Sequence, residues 1–462
     1  MISLTKEKYI MTKPEKKEFY KELFGLAIPI GLQSLLIALI GATDALMLGR
    51  LSQDAVAAVS LANQIVFVMN LFVFSIIGGC GALIAQYWGK LDKIMVKNLF
   101  CFMLKCSFAI AIIFFALAML IPEQLMRIYT PEESLIKIGA SYLRAVSVSY
   151  VFTALVQCYY TKMKVEGKAS ISVIISIVTL VVDVVLDFLL IYGYAGAPKL
   201  GADGAAYTTV AVEFIAIVWC VVESYKKDCI HVDFAGFKWF SKDIIKDFLK
   251  IFVPSLGSAL AWGLSITIHS LIMGHLGSDA TAASSITSVV FEVVSCLGKG
   301  VSAGTGIIVG KLLGQNLLDK AKSYGRKLCH ISFALGGIHI LLLCILGPVA
   351  TIFFVLTETA RQYLIIMLIF TGFYVFAYSI NTVVVCGIFP AGGDSKYDAI
   401  SVFIATWCIA IPLALIGAFV FNWPVILIYI IMCIDEIIKV PFIYPRYKKH
   451  LWVNNLTRDK TI

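Results

Sequence analysis

One pattern recurs along this chain at a fixed offset of 225 residues. Pro29 meets Pro254, Gly49 meets Gly274, Leu51 meets Leu276, and Asp54-Ala55 meets Asp279-Ala280. Ala57, Ala58 and Ser60 meet Ala282, Ala283 and Ser285. Gly79, Gly81 and Gly89 meet Gly304, Gly306 and Gly314, and the offset still holds at Gly167 and Gly392. Both copies are strongly apolar. The chain is 60% hydrophobic and 15% charged, against about 45–50% and about 25% in soluble proteins. A duplicated apolar chain of this kind predicts a polytopic membrane protein with two similar lobes, the build of secondary transporters.

Windows of about twenty apolar residues read as membrane helices. Twelve are expected, near 23–48, 57–84, 99–121, 137–160, 169–192, 204–223, 248–275, 282–309, 328–353, 362–388, 398–420 and 423–443. The fold class is therefore an all-α integral membrane protein, twelve transmembrane helices in two six-helix lobes. Thirty basic residues fall on the side that carries both termini and five on the other. By the positive-inside rule both ends are cytoplasmic. The expected organisation is a tail at 1–22, a lobe at 23–223, a linker at 224–247, a second lobe at 248–443 and a tail at 444–462. Phe237, Trp239, Phe240 and Ile244 among lysines read as a short interfacial helix over 234–248, or as a solvated tether.

The net charge of +9 does not point to nucleic acid, because the basic residues sit in short gaps between apolar runs. Twelve cysteines are scattered singly with no CxxC, which reads as small buried hydrophobes and not as a disulfide framework. The six histidines show no metal-ligand spacing. No catalytic constellation emerges, and an enzyme is not expected.

Charges inside hydrocarbon cost roughly 2.5–3.5 kcal/mol even on lenient scales and need a reason. Asp44 lies six residues before Arg50, about 9 Å below the outer end of span one. Asp183 and Asp187 share one face of span five at i,i+4. Thr208 and Thr209 reach a similar depth from span six. Carboxylates this close cannot all stay charged unless a proton or cation joins them. Asp44, Asp183, Asp187 and Thr209 are thus the candidate cation-coupling residues, with Asp44 and Asp187 able to ligate Na⁺. Structural hydrogen bonding between helices is the competing reading.

The second copy does not repeat this chemistry. His269 stands at the position of Asp44, Glu292 at that of Phe67 and Lys299 at that of Phe74. Glu292 and Lys299 lie seven apart on one face, close enough for an ion pair or for a shared role in a cavity. Asn63, Gln64, Phe67, His269, Glu292 and Lys299 form the candidate substrate cavity. Aromatics such as Phe291, Tyr374 and Tyr378 would suit flat cations through cation–π contact. Pro29 and Pro254 read as first-turn positions or hinges.

Several segments resemble the MATE family, the multidrug and toxic compound extrusion transporters. Gly193 to Thr209, GYAGAPKLGADGAAYTT, resembles that family's outer loop after span five and its Gly-Ala-Ala entry into span six. Ala391-Gly392-Gly393-Asp394-Ser395-Lys396 resembles its Arg-x-Gly-Gly-Asp-Thr stretch, without the arginine. Asp44 with Gly49-Arg50 resembles the end of its first helix. The resemblance covers nearly the whole chain. It implies cation coupling at Asp44. It also implies kinship with the DinF-like branch, whose span-five aspartate Asp187 matches and where Asp183 replaces an asparagine. Thr209 matches the threonine of the Gly-Ala-Ala helix. The NorM-like branch uses carboxylates in spans seven and ten, and span seven here offers His269.

The implied activity is antiport in the inner (cytoplasmic) membrane. Organic cations or amphiphilic drugs leave in exchange for Na⁺ or H⁺ by alternating access, without a cofactor and as a monomer in the lipid bilayer. The alternative is a lipid-linked oligosaccharide flippase of the same superfamily, which needs a strongly cationic cavity. Beyond the basic residues counted to either side, only Lys105, Arg144 and Lys299 remain within the spans.

Overall fold

The computed structural model of the chain describes residues 11–226, 229–238, 241–354 and 356–458. Among the described residues there is no strand. Twelve long helical segments follow one another. They are α1 Lys13–Leu51, α2 Gln53–Gly89, α3 Lys93–Leu120, α4 Glu133–Val165, α5 Ala169–Tyr192 and α6 Ala202–Ser224, then α7 Lys242–His275, α8 Ser278–Gly314, α9 Leu318–Phe353, α10 Glu358–Ala391, α11 Ser395–Phe419 and α12 Val425–Lys448. Short helices at Pro122–Arg127 and Phe234–Lys238 occupy connections. The helices α1 to α11 are long and apolar enough to cross a membrane. The last, α12, has the length but carries Asp435, Glu436 and Lys439 in its middle.

Helix ends follow local chemistry. Helix α1 starts ten residues before the expected 23 because Thr12 and Glu15 cap each other. Thr12 N–H donates to Glu15 Oε2 at 2.9 Å and Glu15 N–H to Thr12 Oγ1 at 3.4 Å, the reciprocal arrangement that satisfies two orphan donors. Asp92 caps α3 through Met95 N–H, and Gly193, at φ 77°, closes α5 in the left-handed conformation. Pro29 and Pro254 sit well inside α1 and α7, so the first-turn expectation for them is corrected. The helix expected over 234–248 is shorter than that. It spans Phe234–Lys238, Ile244 belongs to α7, and Trp239 and Phe240 lie outside the described residues. Asp233 fixes it, accepting from Gly236 N–H at 2.7 Å and from Lys97 Nζ at 2.6 Å. The Lys97 ammonium holds the Asp233 carboxyl below the usual carboxylate range.

Two compact units result. An N-terminal unit takes Leu32–Ile84 and Asp92–Lys242. A C-terminal unit takes the described residues of Met1–Gly31, Ala85–Leu91 and Asp243–Ile462. The division thus runs through α1 and α2 as well as through the linker. The core of the N-terminal unit gathers Leu48, Val59, Met69, Leu143, Tyr150 and Ala206. That of the C-terminal unit gathers Ile272, Val294, Leu364, Met367, Val375 and Ile428.

Inside the C-terminal unit the end of α2 crosses α8 with backbone against backbone. A Cβ on Gly89 would strike the Lys311 carbonyl, and one on Gly314 would strike the Gln86 carbonyl. Glycine is what permits such an approach between membrane helices. The chain beyond α12 then runs as a strap across this end. Trp452 is fully buried and stacks on Tyr447 at 6.1 Å. Gln86 Nε2 donates to the Ala391 carbonyl at 2.6 Å, while Gln86 Oε1 accepts from Leu456 N–H at 2.7 Å. Arg458 reaches Asp247 Oδ2 at 2.7 Å.

Candidate functional site

Asp44 on α1 and Asp183 and Asp187 on α5 converge. One oxygen from each lies within 4.8 Å of the others. The i,i+4 spacing points both α5 carboxylates the same way, and they are 3% and 1% exposed. Desolvated oxygens of this kind normally have partners. Here Asp44 Oδ1, Asp183 Oδ2 and both Asp187 oxygens have none. Thr208 on α6 approaches Asp187, yet its own buried hydroxyl also lacks a well-formed hydrogen bond. Three carboxylates with open oxygens require a positive charge between them. Hard cations bind oxygen at about 2.3–2.6 Å, so ligand oxygens sharing one ion lie within about twice that distance. The trio meets that limit. It fits either one small cation or shared protons.

Thr209 is turned elsewhere. Its hydroxyl donates to the Ala205 carbonyl of its own helix at 3.0 Å. Tyr142, buried on α4, faces the three aspartates and donates to Asn63 Oδ1 at 3.4 Å, which links Asn63 on α2 to their surroundings. Gln64 is exposed on the same helix and Phe67 half-buried. A fourth acid, Glu213 on α6, lies near Asp183 and interacts with Thr153. Sequence reasoning passed over Glu213, although an acid in the middle of span six carries the signal that marked Asp44.

In the C-terminal unit, Lys299 Nζ donates to Glu292 Oε2 at 2.6 Å. Their side chains are 39% and 48% exposed. Beside Glu292, Phe291 packs edge-on against Tyr374 and Tyr378, with ring centroids 5.4 and 5.2 Å away. His269 on α7 keeps a buried Nε2 without a partner. Asp394, in the Gly-Gly-Asp stretch that lacks its arginine, receives one from α12. Arg446 grips it through two bonds of 2.8 Å, the planar fork geometry that suits a carboxylate.

A second polar group lies deeper in this unit and was also missed. Asp435, Glu436 and Lys439 of α12 are 5%, 6% and 4% exposed. They meet Asn381 at the start of a π-helical turn in α10, Thr382–Ile388, and Thr406 within another in α11, Phe403–Ala410. All three fall inside the span expected at 423–443, so the rule that marked Asp44 applied here too.

Comparison with known proteins matches two stretches, residues 29–189 and 254–416, to the MatE family model. Their starts, Pro29 and Pro254, are the repeat partners with which the sequence pattern begins. The uncharacterized transporter YisQ of Bacillus subtilis (strain 168) is 23% identical over 96% of this chain and 97% of its own length. The probable multidrug resistance protein YoeA of the same organism is 24% identical over 89% and 90%. Among solved structures, a MOP superfamily transporter from Pyrococcus furiosus superposes with a TM-score of 0.85 at 17% identity, covering 93% of this chain and 95% of that one. The Vibrio cholerae MATE transporter VcmN in the bent form gives 0.83 at 17%, covering 94% and 97%.

Proposed function

Because this chain belongs to the MatE family of multidrug efflux transporters, we propose that it is a secondary active antiporter of the cell membrane that exports organic cations and amphiphilic drugs. Na⁺ or H⁺ enters at Asp44, Asp183 and Asp187, and that binding favours the conformation that releases drug outward. The observation that supports this reading is the set of buried, unpartnered carboxylate oxygens contributed by two helices. Coupling needs only that cation and drug prefer different conformations. One entering cation exchanged for one leaving monovalent drug moves no net charge. The membrane potential, about 2.3 kcal/mol per charge per 100 mV, then cancels, and the ion concentration gradient drives export.

On this reading Glu292 with Phe291, Tyr374 and Tyr378 contacts the cationic substrate, both termini face the cytoplasm, and the chain works as a monomer nearest the DinF-like branch. The half-exposed Glu292 beside three packed aromatic rings favours a cation over the pyrophosphate of a lipid-linked sugar. The deciding experiment is export of a fluorescent cationic dye from cells, for wild type and Asp44→Asn, under a Na⁺ gradient and separately a pH gradient. Export driven by one gradient and lost in Asp44→Asn names the ion. The absence of gradient-driven export under either condition overturns the reading.

A further inference from the structure

We propose that Asp435 is a second proton-carrying carboxyl of this chain, held apart from the Asp44 group and closed to metal ions. The bonding around α12 divides the charges. Lys439 Nζ donates to Glu436 Oε1 at 2.6 Å but stands 3.9 Å from Asp435 Oδ2. Glu436 and Lys439 therefore neutralise each other, and Asn381 Nδ2 holds the second Glu436 oxygen at 2.6 Å. Asp435 is left over. One of its oxygens accepts from Glu436 N–H at 2.7 Å. The other lies 3.0 Å from Thr406 Oγ1.

A hydroxyl can donate or accept. Thr406 therefore serves Asp435 in either state, donating to the carboxylate or accepting from a proton on Oδ2. Lys439 offsets one carboxylate of the pair and not two; a second ionised carboxylate this deeply buried is costly, and a proton removes the charge. A metal ion has no such opening. All four oxygens of Asp435 and Glu436 already accept a hydrogen bond, and Lys439 occupies the place of a monovalent cation. In the Asp44 group four of the six oxygens have no hydrogen-bond partner instead.

The neighbouring walls are mostly apolar. Asn381 also lines a cavity of about 100 Å³ whose other walls include Phe333, Ile380, Val384, Val440 and Ile443. Its Oδ1 is buried without a partner, an unused acceptor beside the group. The titratable groups that face it are Tyr374 and Tyr378 of α10, Cys386 of the π turn, Asp398 of α11 and Cys433 of α12. None of these brings a positive charge. Asp398, near Ser258, is the competing carboxyl among the described residues that face the group.

The test is infrared spectroscopy of the purified full chain at neutral pH, with Asp44, Asp183 and Asp187 all changed to Asn and Glu213 to Gln so that none of the buried acids of the N-terminal unit reports. A protonated-carboxyl C=O band equivalent to one group per chain is expected. It should vanish in Asp435→Asn, persist in Asp398→Asn, and stay unmoved by added Na⁺ or K⁺. Absence of the band, its survival in Asp435→Asn, its loss in Asp398→Asn or its displacement by Na⁺ overturns the proposal. If Asp435→Asn does not fold, Thr406→Val decides. The same band should shift as its hydrogen bond is lost, and an unshifted band overturns the assignment.

Discussion

Lys299 reaches back along α8 to set its ammonium 2.6 Å from Glu292 Oε2. Seven residues separate them, about 10 Å along a helix axis. Lysine side chains lean toward the helix N-terminus, and that closes the distance. Half-exposed pairs contribute only about 0–1 kcal/mol, so stability alone gives this one little value. Glu292→Gln is expected to leave thermal stability within about 1 kcal/mol of wild type while weakening the apparent affinity for a cationic dye several-fold. Dye-efflux kinetics beside a melting curve measure both. A large loss of stability with unchanged affinity would make the pair structural.

Thr208 and Thr209 separate local geometry from family motif. Thr208→Ala should weaken cation coupling by about tenfold in half-saturating ion concentration, a change of about 1.4 kcal/mol. Thr209→Ala, which removes a hydroxyl bonded to its own helix, should leave coupling near wild type. Ion titration of dye export compares them, and the reverse order would restore Thr209 to the site.

Much of this was legible beforehand. The repeat and the apolar windows gave the twelve helices, and i,i+4 spacing with matched depth brought Asp183, Asp187 and Asp44 together. Depth alone does not tell Thr208 from Thr209, because the hundred-degree turn between neighbours decides which one faces α5. The Thr12–Glu15 capping pair was readable in the sequence, but hydropathy windows see only apolar length and begin α1 late. Asp435, Glu436 and Lys439 fell within an expected span and escaped notice because opposite charges three and four residues apart read as locally compensated. Pairing across helices, which makes Asp435 the odd charge, is tertiary and has no local signal.

The glycine crossing should tolerate no side chain. Gly89→Ala or Gly314→Ala forces a methyl into a backbone carbonyl of the other helix, and overpacking of this kind costs about 1–3 kcal/mol. Thermal unfolding in detergent should register the loss for either variant. Gly78→Ala, where a Cβ meets nothing within 4 Å, is the control that should stay near wild type.

Trp452 should be worth more than its place in a tail suggests. Its ring is fully buried against Tyr447, and Trp→Ala in a packed site costs about 3–5 kcal/mol. Arg458→Ala, which removes an exposed-side ion pair with Asp247, should cost about 1 kcal/mol or less. Melting temperatures of the two variants give the ratio, and equal effects would mean that charge holds the strap.

The crossing of α2 and α8 also carries a trace of history. Shifted by the repeat offset, Gly314 becomes Gly89 and Lys311 becomes Gln86. Gly89 against Lys311 and Gln86 against Gly314 are then the same contact made twice, with partners exchanged. That reciprocity defines the interface of a two-fold symmetric homodimer. A half-length ancestor could have paired with its own copy through this glycine before any gene fusion. Joining two such halves would have required no new surface here, only a linker.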